Sequence, residues 1–312
     1  MTGSGQSVLT PHSGPEHDIT TLWWVMFGVA CVGLTLIAVL LLLGGVRRNR
    51  ASLPFGGSER AATRLVVGLG IATPIVLLSA LFVWSDVFII RSTAAPSPRS
   101  TAMTIQVIGH QWFWEIRYDG GRIATANELH IPVRTRVNVV GTTADVIHSL
   151  WVPELNRKID LIPGRTNRVL LDANQPGTYL GQCSEFCGVQ HAHMEMRVVA
   201  QPRAQFESWL RREGTPLAAS ATSGSGLELF LSSGCANCHT IQGTPAQADV
   251  GPDLTHVGSR TTLAAGTIPN DSAHLAAWLR DPQKVKPGTK MPKLPLSQSD
   301  ISGLVKYLEG LK

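Results

Sequence analysis

Charge is sparse in this chain, and so is cysteine. Asp, Glu, Lys and Arg make up 16% of the 312 residues, and only five residues are Cys. Between Thr101 and Thr215 there are 12 Lys or Arg against 11 Asp or Glu, and from Leu227 to Lys312 there are 8 against 7. Neither stretch carries the basic stripe that nucleic-acid binding requires, so no nucleic acid is expected as a partner. A nucleotide-binding glycine loop, an internal repeat and a Ser/His/Asp arrangement are all missing, which argues against nucleotide-dependent and serine-hydrolase chemistry. Of the five cysteines, Cys31 stands alone in an apolar run and reads as a small apolar residue. The other four fall into two clusters, so no thiol is left for a structural disulfide, although the compartment argued below permits one.

The basic excess lies elsewhere. Arg47, Arg48, Arg50, Arg60 and Arg64, opposed only by Glu59, sit between two apolar stretches. Leu22 to Val46 contains no charge, and Leu65 to Ile90 is interrupted only by Asp86. Each is long enough to cross a bilayer core of about 30 Å. The polar leader, residues 1–21, lacks a basic n-region and no small-residue cleavage site follows the first run, which argues against a cleaved signal peptide. By the positive-inside rule the Arg-rich connection faces the cytoplasm. The expectation is a multi-pass membrane protein, with a two-helix hairpin over residues 22–90 and both termini on an outer face of periplasmic or intermembrane type.

Beyond a polar, Pro-containing stretch at Ser92–Ser100, the residues read as short β-runs: Met103–Ile108, Leu129–Ile131, Arg136–Val140, Val146–Leu150, Arg168–Leu171 and Met194–Val199. Gly, Pro and Asn turns separate them, which predicts an antiparallel sandwich or barrel over residues 100–213. Phe206–Arg212 reads as a closing helical turn, and residues 214–226, rich in Ser, Thr, Ala and Gly, as a flexible linker. Residues 227–312 read as a small all-α domain, with helices at Ser272–Arg280 and Asp300–Leu311. The second of these presents Ile301, Leu304, Val305 and Leu308 on one face.

The cysteine clusters carry the chemistry. Cys235-x-x-Cys238-His239 has the spacing of a covalent c-type haem site, in which two thiols bond the porphyrin and the imidazole ligates iron. A six-coordinate haem needs a second axial ligand, and a Met–His pair raises its potential. Met291, followed by a Pro that restricts its backbone, leads the candidates over His256 and His274. The other cluster, Cys183-x-x-x-Cys187-x-x-x-His191-x-x-Met194, offers two thiolates, an imidazole and a thioether. Zinc stays open from ligand count alone, since His148, His193 or His110 can complete a tetrahedral set. The thioether leans towards copper, and the surplus of donors towards two metals bridged by sulfur.

Longer motifs surround these clusters. Gly109-His-Gln-Trp-Phe-Trp-Glu115, Val146-Ile-His148-Ser-Leu-Trp-Val-Pro153, Pro163-Gly-Arg165 and Gly177-Thr-Tyr-Leu-Gly-Gln-Cys183-Ser-Glu-Phe-Cys187-Gly-Val-Gln-His191-Ala-His-Met194 resemble, in this order, subunit II of cytochrome c oxidase. The segment from Leu227 resembles class I cytochromes c, through Cys235, Cys238, His239, Gly251-Pro252-Asp253-Leu254 and Met291-Pro292. The first resemblance implies a cupredoxin-like domain with a binuclear copper A centre. Cys183 and Cys187 would bridge both coppers, and His148, His191, Met194 and the Glu185 backbone carbonyl would complete the set. The Glu185 side chain would reach a magnesium ion at the interface with subunit I, and Trp112 would be the residue through which electrons enter. His193 would be a bystander. The second resemblance implies a haem c held by Cys235, Cys238, His239 and Met291, as in the bacterial oxidases that carry a fused cytochrome.

Implied partners are subunit I with its haem and copper B, subunit III, and an upstream cytochrome or quinol–cytochrome complex as donor. Electrons would run from haem c to copper A to subunit I, where oxygen is reduced. A tethered donor faces its acceptor at high effective concentration without charge steering. Many members of the family carry a Glu near the start of the second span. Here Arg64-Leu-Val-Val-Gly-Leu-Gly70 has none and Glu59 is the nearest carboxylate, so no proton pathway is carried over. The rival readings are the copper A subunit of a nitric oxide reductase and a membrane-anchored copper-binding or redox-sensing module. Nitrous oxide reductase fits less well, since two spans do not normally anchor its copper domain.

Overall fold

Two helices apolar on every side open the chain. The computed structural model describes residues 6–47 and 59–312. Helix α1 (Gly14–Arg47) runs 34 residues, about 50 Å at 1.5 Å per residue. Helix α2 (Glu59–Thr93) runs 35 residues, and no residue of the most apolar window in either helix is buried. Full exposure of an apolar surface this long calls for lipid. Helix α1 begins ahead of the apolar run that hydropathy marks, because a cap rather than apolarity sets this helix end. At the start of α1 the Ser13 hydroxyl accepts from the Glu16 N–H at 3.1 Å, the first half of a Ser-x-x-Glu cap. Helix α2 carries two π-helical turns, Gly68–Ala72 and Ser85–Ile90. Of the basic cluster, Arg48 and Arg50 lie outside the described residues, as do residues 1–5 of the leader. Residues His17–Ala94 form a unit of their own.

The second unit holds the leader up to Glu16 and Ala95–Lys312. Its first part is a sandwich of ten strands: β1 (Met103–His110), β2 (Phe113–Tyr118), β3 (Ile123–Ala126), β4 (Glu128–Pro132), β5 (Val137–Thr143), β6 (His148–Trp151), β7 (Ile159–Leu161), β8 (Asn167–Leu171), β9 (Gly177–Cys183) and β10 (Glu195–Gln201). One sheet has the order β3-β2-β1-β5-β8 and the other β4-β10-β9-β6-β7. The sheets are not purely antiparallel as expected: β1 runs parallel to β5 and β10 parallel to β4. The chain leaves the first sheet after β3, makes β4 in the second, and returns for β5, which therefore lies alongside β1 in the same direction.

Strand β2 alternates half-buried and buried residues, with Trp114, Ile116 and Tyr118 inward. These side chains join Ile105, Val107, Leu129, Ile131, Leu150 and Met196 in one core, and full burial of each is worth about 1.5–3 kcal/mol. Helix α3 (Arg203–Glu213) closes one end, with Trp209 stacked on His130 at 3.9 Å between ring centroids. The leader is tied to the same sandwich: His12 N–H donates to Glu154 O at 3.0 Å, and Asn174 N–H to His12 O at 2.8 Å.

The remaining chain folds around a separate core. Helices α4 (Ser225–Ser232), α5 (Ser272–Arg280), α6 (Pro282–Val285) and α7 (Gln298–Glu309) are joined by a two-stranded ribbon, β11 (Thr262–Leu263) and β12 (Ile268–Pro269), which the sequence pattern did not predict. The capping box Ser297/Asp300 fixes the start of α7, two residues before the predicted start, and Ile301, Leu304, Val305 and Leu308 are buried as the spacing requires. The Ser/Ala/Gly-rich linker is partly built into this core. Leu217 and Ala221 pack on it, and the Tyr307 hydroxyl donates to Ala221 O at 2.9 Å.

Candidate metal and haem centres

Strand β6 and the loop between β9 and β10 bring the first donor set together. His148 and Cys183 come from facing strands, since β6 pairs antiparallel with β9, and Cys187, His191 and Met194 follow on the loop. The Cys183 and Cys187 sulfurs stand 3.8 Å apart. His148 Nδ1 lies 3.8 Å from the Cys183 sulfur, and His191 Nδ1 lies 3.7 Å from that of Cys187. The Glu185 carbonyl sits 3.2 Å from Cys183 Sγ, while the Glu185 side chain is half-buried. Met194 is fully buried at the end of the loop. Among the described residues, His148, Cys183 and Cys187 are the His, Cys and acidic side chains that cluster closely enough to share a metal ion. His110 is engaged elsewhere, 3.0 Å from Glu115 and stacked on Phe113.

The electrostatics of this donor set favour a cation. The hydrogen bond between the two sulfurs favours one shared proton and, with the His148 contact, draws the Cys183 thiol down to about 3, while the same bond and burial push Cys187 up. A metal displaces that remaining proton. Burial disfavours a charged His148, but its bonds to Cys183 and Asp145 more than offset this and raise its pKa. Asp145 Oδ1 lies 2.9 Å from His148 Nε2, so the carboxylate fixes the ring with Nδ1 facing the sulfurs, as a second-layer carboxylate does for a ligating His. The two thiols, the two imidazoles and the Glu185 carbonyl, 3.2 to 3.8 Å apart in successive contacts, with buried Met194 closing the loop, fit a soft metal such as copper.

The β1–β2 turn covers this loop. Gln111 Nε2 and Trp112 Nε1 both donate to Cys187 O, at 2.8 and 3.0 Å. Gly188 has φ +116°, and a Cβ there would stand 2.9 Å from Trp112 Cζ2, so only glycine lets the loop lie this close to the indole.

The second set surrounds a cavity of about 1330 Å³ including the space open to solvent, lined by Cys235, Cys238, His239 and Met291. His239 Nδ1–H donates to Pro252 O at 2.8 Å. Burial lowers the pKa of this imidazole, leaving it neutral with a lone pair on Nε2, as axial ligation requires. Phe230, Leu275, Leu279 and Leu304 make the wall apolar. Both thiols are free. The donors, the apolar wall and the opening fit a haem. His256 and His274 do not line the cavity: His256 is buried elsewhere, and His274 lies 2.8 Å from Asp271. Gln111, Trp112 and Phe113 of the β-domain do line it, so Trp112 borders one candidate centre while bonded to a ligand residue of the other.

Several working residues escaped the sequence reading. Asp145, three residues before His148, was findable as an acidic neighbour of a ligand. Gln111 lay inside a quoted motif without a role. Lys286, 2% exposed, gave no signal, because a lysine in a loop reads as a surface residue.

Fold and donor sets define a class: a metal-binding β-sandwich of cupredoxin type joined to a cytochrome c domain and anchored by two apolar helices. Comparison with known proteins is specific. Residues 120–201 match the family model for the periplasmic domain of cytochrome c oxidase subunit II, and residues 224–312 match that for cytochrome c. Cytochrome c oxidase subunit 2 of Alkalihalophilus pseudofirmus is 35% identical over 220 residues, 70% of this chain and 64% of that protein. The subunit 2 of Bacillus subtilis is 31% identical, over 68% and 63%, and that of Lycodon semicarinatus is 32% identical, over 44% of this chain and 73% of that protein. The solved periplasmic domain of subunit II from Bradyrhizobium japonicum is 33% identical over 38% of this chain and 96% of that one, with a TM-score of 0.36. This chain belongs to the cytochrome c oxidase subunit 2 family. It spans somewhat under two thirds of the length of the Alkalihalophilus pseudofirmus and Bacillus subtilis proteins.

Proposed function

We propose that this protein is the electron-entry subunit of a respiratory haem–copper oxygen reductase. It would take electrons at its own haem c and deliver them through copper A to haem in subunit I, where oxygen is reduced to water. Each group, when bound, supplies a one-electron couple; the protein supplies the geometry. Cys235 and Cys238 would hold the porphyrin, and His239 and Met291 would serve its iron. Cys183 and Cys187, with His148, His191, Met194 and the Glu185 carbonyl, would hold the binuclear copper centre, and the Glu185 side chain would offer an oxygen to magnesium at the subunit I face. The observation that carries this reading is Trp112, which borders the haem cavity and donates to Cys187 O at 3.0 Å. A mere copper store needs no indole between two centres.

The bonds from His12 to Glu154 and Asn174 support an outer N-terminus. Leader and sandwich must share a compartment for those bonds to form, and two spans between them satisfy this with the Arg-containing connection inside. Subunit III and a cytochrome or quinol–cytochrome donor complete the proposed assembly.

The test is to produce the full chain with haem maturation and copper, quantify metals and record low-temperature EPR. The expected result is about two coppers and one iron per chain, with hyperfine structure from one electron shared over two copper nuclei. One copper or one zinc at the β-domain would refute the binuclear assignment.

A further inference from the structure

We propose that Lys286 is a positioning residue that registers the cytochrome domain on the loop carrying Cys187, His191 and Met194, and that the two domains work as a fixed pair. The proposal deepens the electron-entry reading above and rests on it for its functional consequence. Lys286 is buried, and its ammonium meets three carbonyl oxygens: Trp112 O at 3.2 Å, His193 O at 2.7 Å and Ala264 O at 2.9 Å. These come from the β1–β2 turn, the ligand loop and the β11–β12 ribbon, three segments from two domains. An ammonium has three N–H donors and no acceptor, so three converging carbonyls satisfy it completely. A buried charge is tolerated only when it is satisfied in this way.

The neighbourhood is built to the same end. Gln190 Nε2 donates to Pro287 O, and a Cβ on Gly288 would stand 2.7 Å from the Val189 side chain, so side chains of the ligand loop rest directly on the backbone that follows Lys286. Glu195 N–H donates to Ala265 O at 3.1 Å. The buried Glu128 carboxylate accepts from Thr261 N and Oγ1 at 2.7 and 2.6 Å and from Thr262 N at 3.1 Å. Ala264 and Ala265, the residues whose carbonyls are taken, sit at φ +52° and +57°, a left-handed conformation that alanine adopts only when its surroundings hold it there.

Trp112 is gripped at both ends, its carbonyl by Lys286 and its indole by Cys187 O. Loss of Lys286 therefore loosens the haem cavity's wall and the copper ligand loop together. A free tether would make each transfer wait for the domains to meet; a fixed pair removes that wait.

The experiment uses the full chain in detergent, with Lys286→Met and Lys286→Arg, and reads amide hydrogen exchange at Glu195 and Thr262. Lys286→Met is expected to raise exchange at both sites about tenfold or more, while amides within the two cores stay at wild-type rates. Lys286→Arg keeps charge and length but replaces the three-fold donor geometry with a planar fork. It is expected to give a smaller rise, and supplies the reading if the Met variant does not fold. In the haem- and copper-loaded chain, the absorption and EPR signatures should persist while transfer between the centres slows and becomes viscosity-dependent. Unchanged exchange at Glu195 and Thr262 would overturn the proposal, and so would raised exchange with wild-type transfer. A wild-type chain that fails to load copper would sink the electron-entry reading instead, with the exchange measurement still deciding whether Lys286 holds the domains.

Discussion

Replacing Gly251 by alanine should displace the imidazole at the centre of the cytochrome domain. A Cβ at this position would stand 2.6 Å from His239 Cε1, 2.8 Å from Nδ1 and 3.1 Å from Nε2. Ordinary contact begins near 3.4 Å, so ring and backbone must separate by roughly 0.8 Å, and overpacking of this size costs about 1–3 kcal/mol. Neither side yields freely. The ring is held by its 2.8 Å bond to Pro252 O, the residue after the substitution, and Gly251 N–H is itself bonded to Cys238 O at 2.6 Å. The methyl therefore pushes on a ring whose other side faces the cavity. The assay is the ferric absorption and EPR spectrum of the haem-loaded chain, with urea unfolding of the same variant. The expected result is a shift from low-spin towards high-spin signals together with lower stability. Gly303→Ala is the control, because its Cβ meets only the flexible end of Leu229, at 2.9 Å, and alanine favours the helix. A Gly251→Ala protein with wild-type spectrum and stability would refute the placement of His239 against this backbone.

Two further outcomes are expected. Burial, opposed by Arg260 and Arg212, raises the Glu213 carboxyl to about 7, so between the unfolded value near 4.5 and about 7 the native state keeps a proton that the unfolded chain releases. Stability should then fall by up to about 3 kcal/mol as pH rises through that window, and Glu213→Gln should flatten that part of the profile in urea titrations; parallel profiles for the two proteins would rule this out. Met291→Ala should leave the haem five-coordinate or misligated, and an unaltered ferric spectrum would rule out Met291 as the axial ligand.

Much of this protein could be read from residue order. The two spans followed from apolar length alone, because the bilayer sets a threshold that composition meets or fails. Cys235, Cys238 and His239 sit within five residues, and Cys183 to Met194 within twelve, so local spacing encodes most of both donor sets. Strand β2 lies outside the predicted β-runs, because the aromatic residues on both of its faces blur the alternation that its burial displays. His148, 35 residues before Cys183, was set apart from His110 and His193 only by the family resemblance.

What order along the chain could not determine is everything that joins distant segments. The parallel pairing of β1 with β5 depends on where the chain crosses between sheets, and no local propensity records that. Residues 214–226 have the composition of a free tether, whereas the domains they join are bound through Glu128, Glu195, Gln190 and Lys286. A lysine's sequence neighbours do not reveal whether its ammonium meets water or three carbonyls. That is decided by backbone brought from as far away as Trp112, 174 residues earlier, and only the folded arrangement of both domains supplies it.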